Sequence, residues 1–121
     1  MATILVVDDS ASMKKMVMFT LQSAGHTIID ADNGAAALTL AQRQSADLVL
    51  TDVNMPQMNG IELCKKLREL PNYKFTPVLM LTTESSADQK MAGKGAGATG
   101  WIVKPFNPDQ LLKTVNKVLA K

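Results

Sequence analysis

Five side chains that can do chemistry follow short apolar segments of this sequence. Two neighbouring aspartates, Asp8 and Asp9, come directly after one apolar run, and Asp52 follows another. Thr82 and Lys104 follow two further apolar runs later in the chain. Short runs of this kind, rich in β-branched residues and leucine, are typical of buried β-strands. In a parallel sheet the carboxyl ends of the strands lie at one edge, so we expect the five side chains to meet there.

This set of side chains is suited to phosphate chemistry. Three carboxylates in one pocket repel one another unless positive charge lies among them. Lys104 supplies one such charge, and a divalent cation is the natural further partner. Oxygen ligands without His or Cys favour magnesium, which usually keeps several waters and is completed by a phosphate. A carboxylate can also act as a nucleophile and form an aspartyl phosphate, while the lysine and the metal ion neutralise charge on the transferring group.

The segments between these residues predict five βα units. We expect strands at residues 4–7, 27–31, 48–51, 78–81 and 101–103. We expect helices at residues 13–24, 34–44 and 61–70, from about Ser86, and from Asn107 or Pro108 onwards. Alternating βα units with short connections imply a parallel sheet with helices on both faces. The sequence therefore predicts an α/β fold of the flavodoxin-like (βα)5 kind, a three-layer α/β/α sandwich with a five-stranded parallel sheet.

Helical periodicity supports this assignment. In the first helix, apolar or small residues recur at i, i+3, i+4 and i+7 spacing, at Met13, Met16, Val17, Thr20, Leu21 and Ala24. Gly25 is the expected glycine just beyond its end. The third helix should face inward through Ile61, Leu63, Cys64 and Leu67. The last helix should do so through Leu111, Leu112, Val115, Val118 and Leu119.

Length and composition indicate one ordinary globular domain over residues 1–121. The chain has a single cysteine, Cys64, which cannot form an internal disulfide and so fits a reducing compartment. The first residues lack the basic segment of a signal peptide. No apolar stretch approaches the roughly 20 residues needed to span a bilayer. We therefore expect a cytoplasmic protein without a membrane segment.

The net charge of +2 is unevenly distributed. Residues 1–84 hold 7 Lys+Arg against 9 Asp+Glu, whereas residues 85–121 hold 6 Lys against 2 Asp. A basic end can contact nucleic acid, but this one has two aromatic residues, Trp101 and Phe106, and no arginine. Such a surface is poorly suited to stacking on bases or distinguishing them. The sequence favours a mildly basic face that docks proteins.

The order of these motifs resembles the receiver domain of response regulators. The resemblance covers essentially the whole chain and is carried by Asp8-Asp9, Asp52, Met55-Pro56, Gly60, Thr82 and Lys104-Pro105. Within that family the chain is most similar to the single-domain chemotaxis regulators. The resemblance implies a phosphoacceptor switch of a two-component system, to which a histidine kinase donates a phosphoryl group. It implies a signalling protein that catalyses only its own phosphorylation and dephosphorylation, not a turnover enzyme.

The resemblance also implies roles for the residues at the acidic site. Asp52 would accept the phosphoryl group. Asp9, Asp52 and the backbone carbonyl of Asn54 would ligate magnesium, with Asp8 supporting the metal ion through water. Lys104 would pair with the phosphoryl oxygens.

The switch and its output follow from the same resemblance. Thr82 would hydrogen-bond the phosphoryl group and move when it arrives, and Trp101 matches the family's switch aromatic. Asn54 and Glu84 would set the lifetime of the phosphoryl group. The face formed by the predicted fourth helix, the fifth strand and the last helix would dock a target protein, the flagellar motor switch being one candidate. The protein is expected to be a monomer.

Three alternatives remain open from the sequence. A phosphatase-like hydrolase also uses an aspartyl phosphate, but it places two aspartates as D-x-D after its first strand. A flavin binder needs a phosphate loop after the first strand, where Asp8 and Asp9 would repel the phosphate. A phosphate sink, or a regulator of something other than a motor, would keep every residue of the site.

Several residues also have ordinary structural interpretations. Trp101 could be plain core packing, and Asn54 and Glu84 could be plain loop residues. His26 begins a strand and has no partner at metal-ligand spacing, and Cys64 lies on a helix face, so both favour structural roles. The glycines of residues 95–100 match the sequence pattern of a dinucleotide-binding loop. The structural context of such a loop is missing, because these glycines precede a strand and open no helix.

Overall fold

Strands and helices alternate along the chain, as the apolar pattern predicts. The computed structural model describes residues 2–53, 55, 58–82, 95, 97–103 and 106–120. The strands are β1 (Thr3–Val7), β2 (Thr27–Ala31), β3 (Leu48–Asp52), β4 (Val78–Thr82) and β5 (Gly100–Val103). The helices are α1 (Ala11–Ser23), α2 (Gly34–Arg43), α3 (Gly60–Leu67) and α4 (Pro108–Leu119), with a 3₁₀ turn at Pro71–Tyr73. The helix predicted from about Ser86 lies outside the described residues.

The five strands form one parallel sheet in the order β2-β1-β3-β4-β5. Buried residues of α2 and α3 pack on one face, and buried residues of α1 and α4 pack on the other. The central strands β3 and β4 are buried along their whole length, because helices cover both of their faces. The prediction of a flavodoxin-like three-layer sandwich is therefore confirmed.

Side-chain caps fix the start of each described helix. The cap residues are Ser10, Asn33, Asn59 and Asn107, each accepting a hydrogen bond from a backbone N–H of the first turn. Such caps satisfy backbone donors that otherwise lack a helical partner. Each of these four helices thus begins at a defined residue that follows the carboxyl end of a strand. None of the described helices combines the length and apolar character required to cross a membrane.

The predicted ends of three helices were wrong, since α1 ends at Ser23, α2 at Arg43 and α3 at Leu67, against the expected residues 24, 44 and 70. Ala24 was expected on the same face of α1 as Val17 and Leu21, but it follows the last helical residue and is exposed. The third helix was expected to reach residue 70, but α3 ends at Leu67. The amides of Glu69 and Leu70 bond three residues back, which tightens the chain into a turn ahead of Pro71. The remaining inward positions are buried or half-buried, as predicted.

The start of α3 is packed directly against the end of β3. The amide of Gly60 donates to the carbonyl oxygen of Val53 at 3.0 Å. A Cβ atom added to Gly60 would lie 2.4 Å from the carbonyl oxygen of Asp52, well inside van der Waals contact. Only glycine allows the helix to begin this close to the strand, so the backbone of Asp52 and the position of α3 are set together.

We predict that Gly60→Ala lowers the free energy of unfolding by about 1–3 kcal/mol, because the added methyl group must displace backbone atoms. This loss should appear although alanine favours helix over glycine. The measurement is urea denaturation followed by circular dichroism. Gly95→Ala is the control, since a Cβ there meets no described atom within 4 Å. Equal stability of the two variants would contradict the prediction.

Candidate functional site

Three aspartates meet at the carboxyl edge of the sheet. Asp8 and Asp9 follow β1, Asp52 ends β3, and these two strands are neighbours in which Val7 pairs with Thr51. One carboxylate oxygen from each aspartate lies within 4.8 Å of those of the other two. Asp8 and Asp52 are buried, at 1% and 6% exposure, whereas Asp9 is exposed. The pocket therefore has two carboxylates in its floor and one at its mouth.

Local hydrogen bonds hold Asp8 in place. Its amide donates to the carbonyl of Ala31 at the end of β2, at 3.2 Å. Its Oδ1 accepts a hydrogen bond of 2.9 Å from the amide of Ser10, which caps α1. Asp8 is thus tied to β2 on one side and to the start of α1 on the other. The carboxylate has little freedom to turn away from the pocket.

Backbone contacts hold Asp52 from both sides. Its carbonyl oxygen accepts a hydrogen bond of 3.0 Å from the hydroxyl of Thr51 and lies against Gly60. The next amide, that of Val53, donates to the carbonyl of Leu81 on β4 at 3.0 Å. The strand end that carries Asp52 is therefore anchored to β4 and to α3. This arrangement fixes the backbone of the strand end from which the Asp52 side chain projects.

Two of the other predicted residues lie on the neighbouring strands. Thr82 ends β4, is fully buried, and pairs with Val103 of β5. Trp101 pairs with Met80, is half-buried, and packs against the core cluster on the α2 and α3 side of the sheet. Thr82 therefore lies at the same edge of the sheet as Asp52, and Trp101 lies two residues back from that edge.

The remaining predicted residues lie outside the described part of the chain. They are Asn54, Glu84 and Lys104. The structure accordingly places Asp8, Asp9 and Asp52 in one pocket and Thr82 at the same edge. The roles of Asn54, Glu84 and Lys104 stay predictions.

A lysine that no sequence motif indicates lies at the same end of the molecule. Lys14 of α1 pairs with Asp30 of β2 at 2.8 Å and with Asp32 just beyond that strand. Burial alone would lower the pKa of Lys14, but hydrogen bonds and charge from the two aspartates outweigh it and raise the pKa. These pairs tie α1 to the edge strand. No sequence spacing could reveal them, because the partners lie on different elements.

Two residues with reactive side chains have structural roles, as expected. His26 accepts a hydrogen bond of 3.3 Å at Nδ1 from the amide of Ala2, next to the start of β1. Cys64 is fully buried in the core cluster beneath α3. Burial raises the pKa of its thiol, an effect that the nearby charge of Arg68 reduces. A buried thiol with a raised pKa packs and is a poor nucleophile.

Comparison with known proteins identifies the family. Residues 4–116 match the response regulator receiver domain. Protein PilH of Pseudomonas aeruginosa is 37% identical over 120 residues, covering 99% of this chain and 99% of that protein. A chemotaxis protein CheY homolog of Campylobacter jejuni is 38% identical over 119 residues, covering 97% of this chain and 92% of that protein.

A solved structure gives the same result in three dimensions. The chemotaxis protein CheY4 of Vibrio cholerae has a TM-score of 0.95 and 53% sequence identity, covering 98% of each chain. Sequence and fold therefore agree with the pocket of carboxylates at the edge of the parallel sheet. They favour the receiver over the hydrolase and the flavin binder. The chain belongs to the response regulator receiver family and is a signalling switch of the two-component type, similar to the single-domain chemotaxis regulators.

Proposed function

We propose that Asp52 accepts a phosphoryl group from the phosphohistidine of a histidine kinase, and that a magnesium ion bound beside it assists the transfer. The observation that carries this proposal is the approach of three carboxylates to within 4.8 Å of one another. Carboxylates gathered this closely are stable when a cation lies among them. Family membership supports the kinase as the donor.

The ligand set fits magnesium. All three side chains offer hard oxygen ligands, and magnesium prefers a few carboxylates with the remaining positions taken by water and phosphate. Asp9 and Asp52 would bind the ion directly with the backbone carbonyl of Asn54, and Asp8 would act through water. The bound ion would supply positive charge beside the phosphoryl oxygens. The exposure of Asp9 leaves the pocket accessible from solvent.

The transfer itself is a substitution at phosphorus. A carboxylate oxygen of Asp52 forms a bond to phosphorus as the bond from phosphorus to the histidine nitrogen breaks, and the imidazole leaves. Asp52 is 6% exposed and its backbone is held by contacts with Thr51 and Gly60, which supports its proposed role as the attacking group. Lys104 would pair with the phosphoryl oxygens, and Asn54 and Glu84 would flank the water that later hydrolyses the acyl phosphate.

The switch would run from Thr82 to Trp101. The hydroxyl of Thr82, buried at the end of β4, would turn to hydrogen-bond the phosphoryl group and vacate space beneath the predicted fourth helix. Trp101 is half-buried and could fill that space. Burial of a large aromatic side chain contributes on the order of 2 kcal/mol, which is enough to bias two states of similar energy.

The output surface would include the cleft between β5 and α4. This cleft has a volume of about 350 Å³, and its lining includes Trp101, Val103, Phe106 and Lys113. Two of these side chains are aromatic and Val103 is exposed, which supports a face that docks proteins, since aromatic residues are enriched at protein interfaces. The target would be a protein, with the flagellar motor switch as one candidate and a phosphate-sink role as the alternative. We propose a monomer that docks no nucleic acid.

We predict that Asp52→Asn abolishes phosphorylation, because it removes the nucleophilic carboxylate. Wild type and variant are incubated with acetyl phosphate and magnesium, and intact mass is measured. Wild type should gain the mass of one phosphoryl group and the variant none. Asp109→Asn, which changes an exposed aspartate in the first turn of α4, is the control and should behave as wild type. A full mass gain in Asp52→Asn would refute the assignment.

We predict that Asp9→Asn abolishes magnesium binding and slightly stabilises the metal-free protein, because it removes one of three repelling charges. In wild type, magnesium at ten times its dissociation constant should add roughly 1.4 kcal/mol to the free energy of unfolding. Thermal melts with and without magnesium measure both effects. Glu69→Gln removes an exposed carboxylate beyond α3 and should keep the magnesium response. A metal-free Asp9→Asn protein that melts well below wild type would count against this prediction.

We predict that Thr82→Ala uncouples Trp101 from the site. Beryllofluoride with magnesium, a mimic of the phosphoryl group, should change the emission of Trp101 in wild type and reduce its quenching by iodide. Thr82→Ala should weaken that response while it leaves beryllofluoride binding, followed by fluorine NMR, largely intact. Thr39→Ala on α2 is the control. If wild type binds beryllofluoride with no change in emission, Trp101 is simply packed core.

A further inference from the structure

One arginine joins three separate segments of the chain. The guanidinium of Arg68, just beyond the end of α3, donates hydrogen bonds to three backbone carbonyls. These are the carbonyls of Tyr73 at 2.7 Å, Thr76 at 2.6 Å and Gly97 at 2.7 Å. Tyr73 ends the 3₁₀ turn, Thr76 precedes β4, and Gly97 precedes β5. The planar guanidinium group of one arginine therefore links the end of α3 to the segments that precede β4 and β5.

Gly97 is shaped to receive this contact. Its φ of +98° lies in the left-handed region, which residues with side chains rarely adopt. A Cβ atom added there would lie 2.9 Å from Nε and 3.3 Å from Cγ of Arg68. Glycine at this position therefore leaves room for the arginine side chain, whose guanidinium reaches the Gly97 carbonyl. Two residues later, the amide of Thr99 donates to Val78 at 2.7 Å and begins the pairing of β5 with β4.

The other end of the same helix contacts the acidic site. Gly60, the first residue of α3, lies against the carbonyl of Asp52 and donates to that of Val53. The helix has 8 residues and is therefore only about 12 Å long. Trp101 packs against the core cluster to which α3 contributes Leu63, Cys64 and Leu67. A short rigid element thus connects the strand end that carries Asp52 with the residue that holds the start of β5.

We propose that Arg68 is a positioning residue that fixes the start of β5 against α3 and so sets the position from which Trp101 responds to phosphorylation. The effect of Arg68 on the response of Trp101 rests on the proposed function. The clamp, by which we mean the hydrogen bonds of Arg68 that hold the chain ahead of β5, does not depend on that function. Without the clamp, the hydrogen bonds at the start of β5 open locally. Phosphorylation then moves the strand itself, and the environment of Trp101 changes less. Lysine cannot replace the arginine fully, because one ammonium group cannot span three carbonyls in a fixed plane.

The test compares Arg68→Met and Arg68→Lys with wild type. Lys65→Met is the matched control, since it removes a positive charge from an exposed position of α3. Amide hydrogen exchange of Thr99 reports the start of β5, and exchange of Val53, bonded to Leu81, reports the strand ends at the site. Fluorine NMR measures beryllofluoride binding. Emission and iodide quenching of Trp101 measure the response.

We expect Arg68→Met to accelerate Thr99 exchange at least about tenfold more than Val53 exchange, because the opening is local. We expect beryllofluoride to bind with an affinity within about threefold of wild type, while the Trp101 response at saturation falls by at least about half. Arg68→Lys should lie between Arg68→Met and wild type, and Lys65→Met should match wild type.

Equal acceleration of Thr99 and Val53, with a full Trp101 response, would mean that Arg68 contributes only to global stability and would overturn the proposal. If Arg68→Met fails to fold, Arg68→Lys becomes the test. The proposal is overturned if Arg68→Lys shows the same Thr99 exchange and the same Trp101 response as wild type. If wild type itself fails to bind beryllofluoride, the proposed function fails. The exchange comparison in the unliganded protein still decides whether Arg68 clamps β5.

Discussion

The close approach of three carboxylates at one edge of the sheet is the constraint that the surrounding structure satisfies. Asp8, Asp9 and Asp52 are brought within 4.8 Å of one another, and two of them are buried. An isolated strand end could not hold them there, since each carboxylate would turn toward water. Two buried parallel strands, a helix cap next to Asp8 and a close helix start next to Asp52 keep the charges together. The apolar packing of the core thus helps to hold the three carboxylates together at the sheet edge.

The layout of the fold and the meeting of the aspartates could be predicted, because both follow from patterns local to each segment. The third strand was expected at residues 48–51 and extends one residue further, to Asp52. The end of α3 was predicted wrongly, because the tight turn before Pro71 leaves no mark on apolar spacing. The pairing of Lys14 with Asp30 and the clamp of Arg68 on Gly97 could not be predicted. Both join side chains to groups far away in the sequence, so only the folded chain brings them together.

The backbone around the site is held by many contacts, whereas the side chains expected to move lie on the strands beside it. The backbone around Asp52 is bonded to β4 and α3, and α3 is bonded through Arg68 to the chain ahead of β5. Thr82 and Trp101 lie on strands framed by these contacts, and Trp101 is only half-buried. A side-chain rearrangement needs a fixed surrounding to have a definite direction. The many backbone contacts therefore serve the few side chains that are expected to move.

The charges around β2 also affect how the molecule behaves at high concentration. β2 is an outer strand of the sheet, so within the described part of the chain one of its edges has no neighbouring strand. Such edges can pair with another chain and lead to aggregation. Asp30 lies in this strand and Asp32 just beyond it, with Lys14 reaching both from α1. A second chain that added to this edge would have to desolvate the ion pairs. The ion pairs that join α1 to the sheet therefore also disfavour self-association through the outer edge of β2.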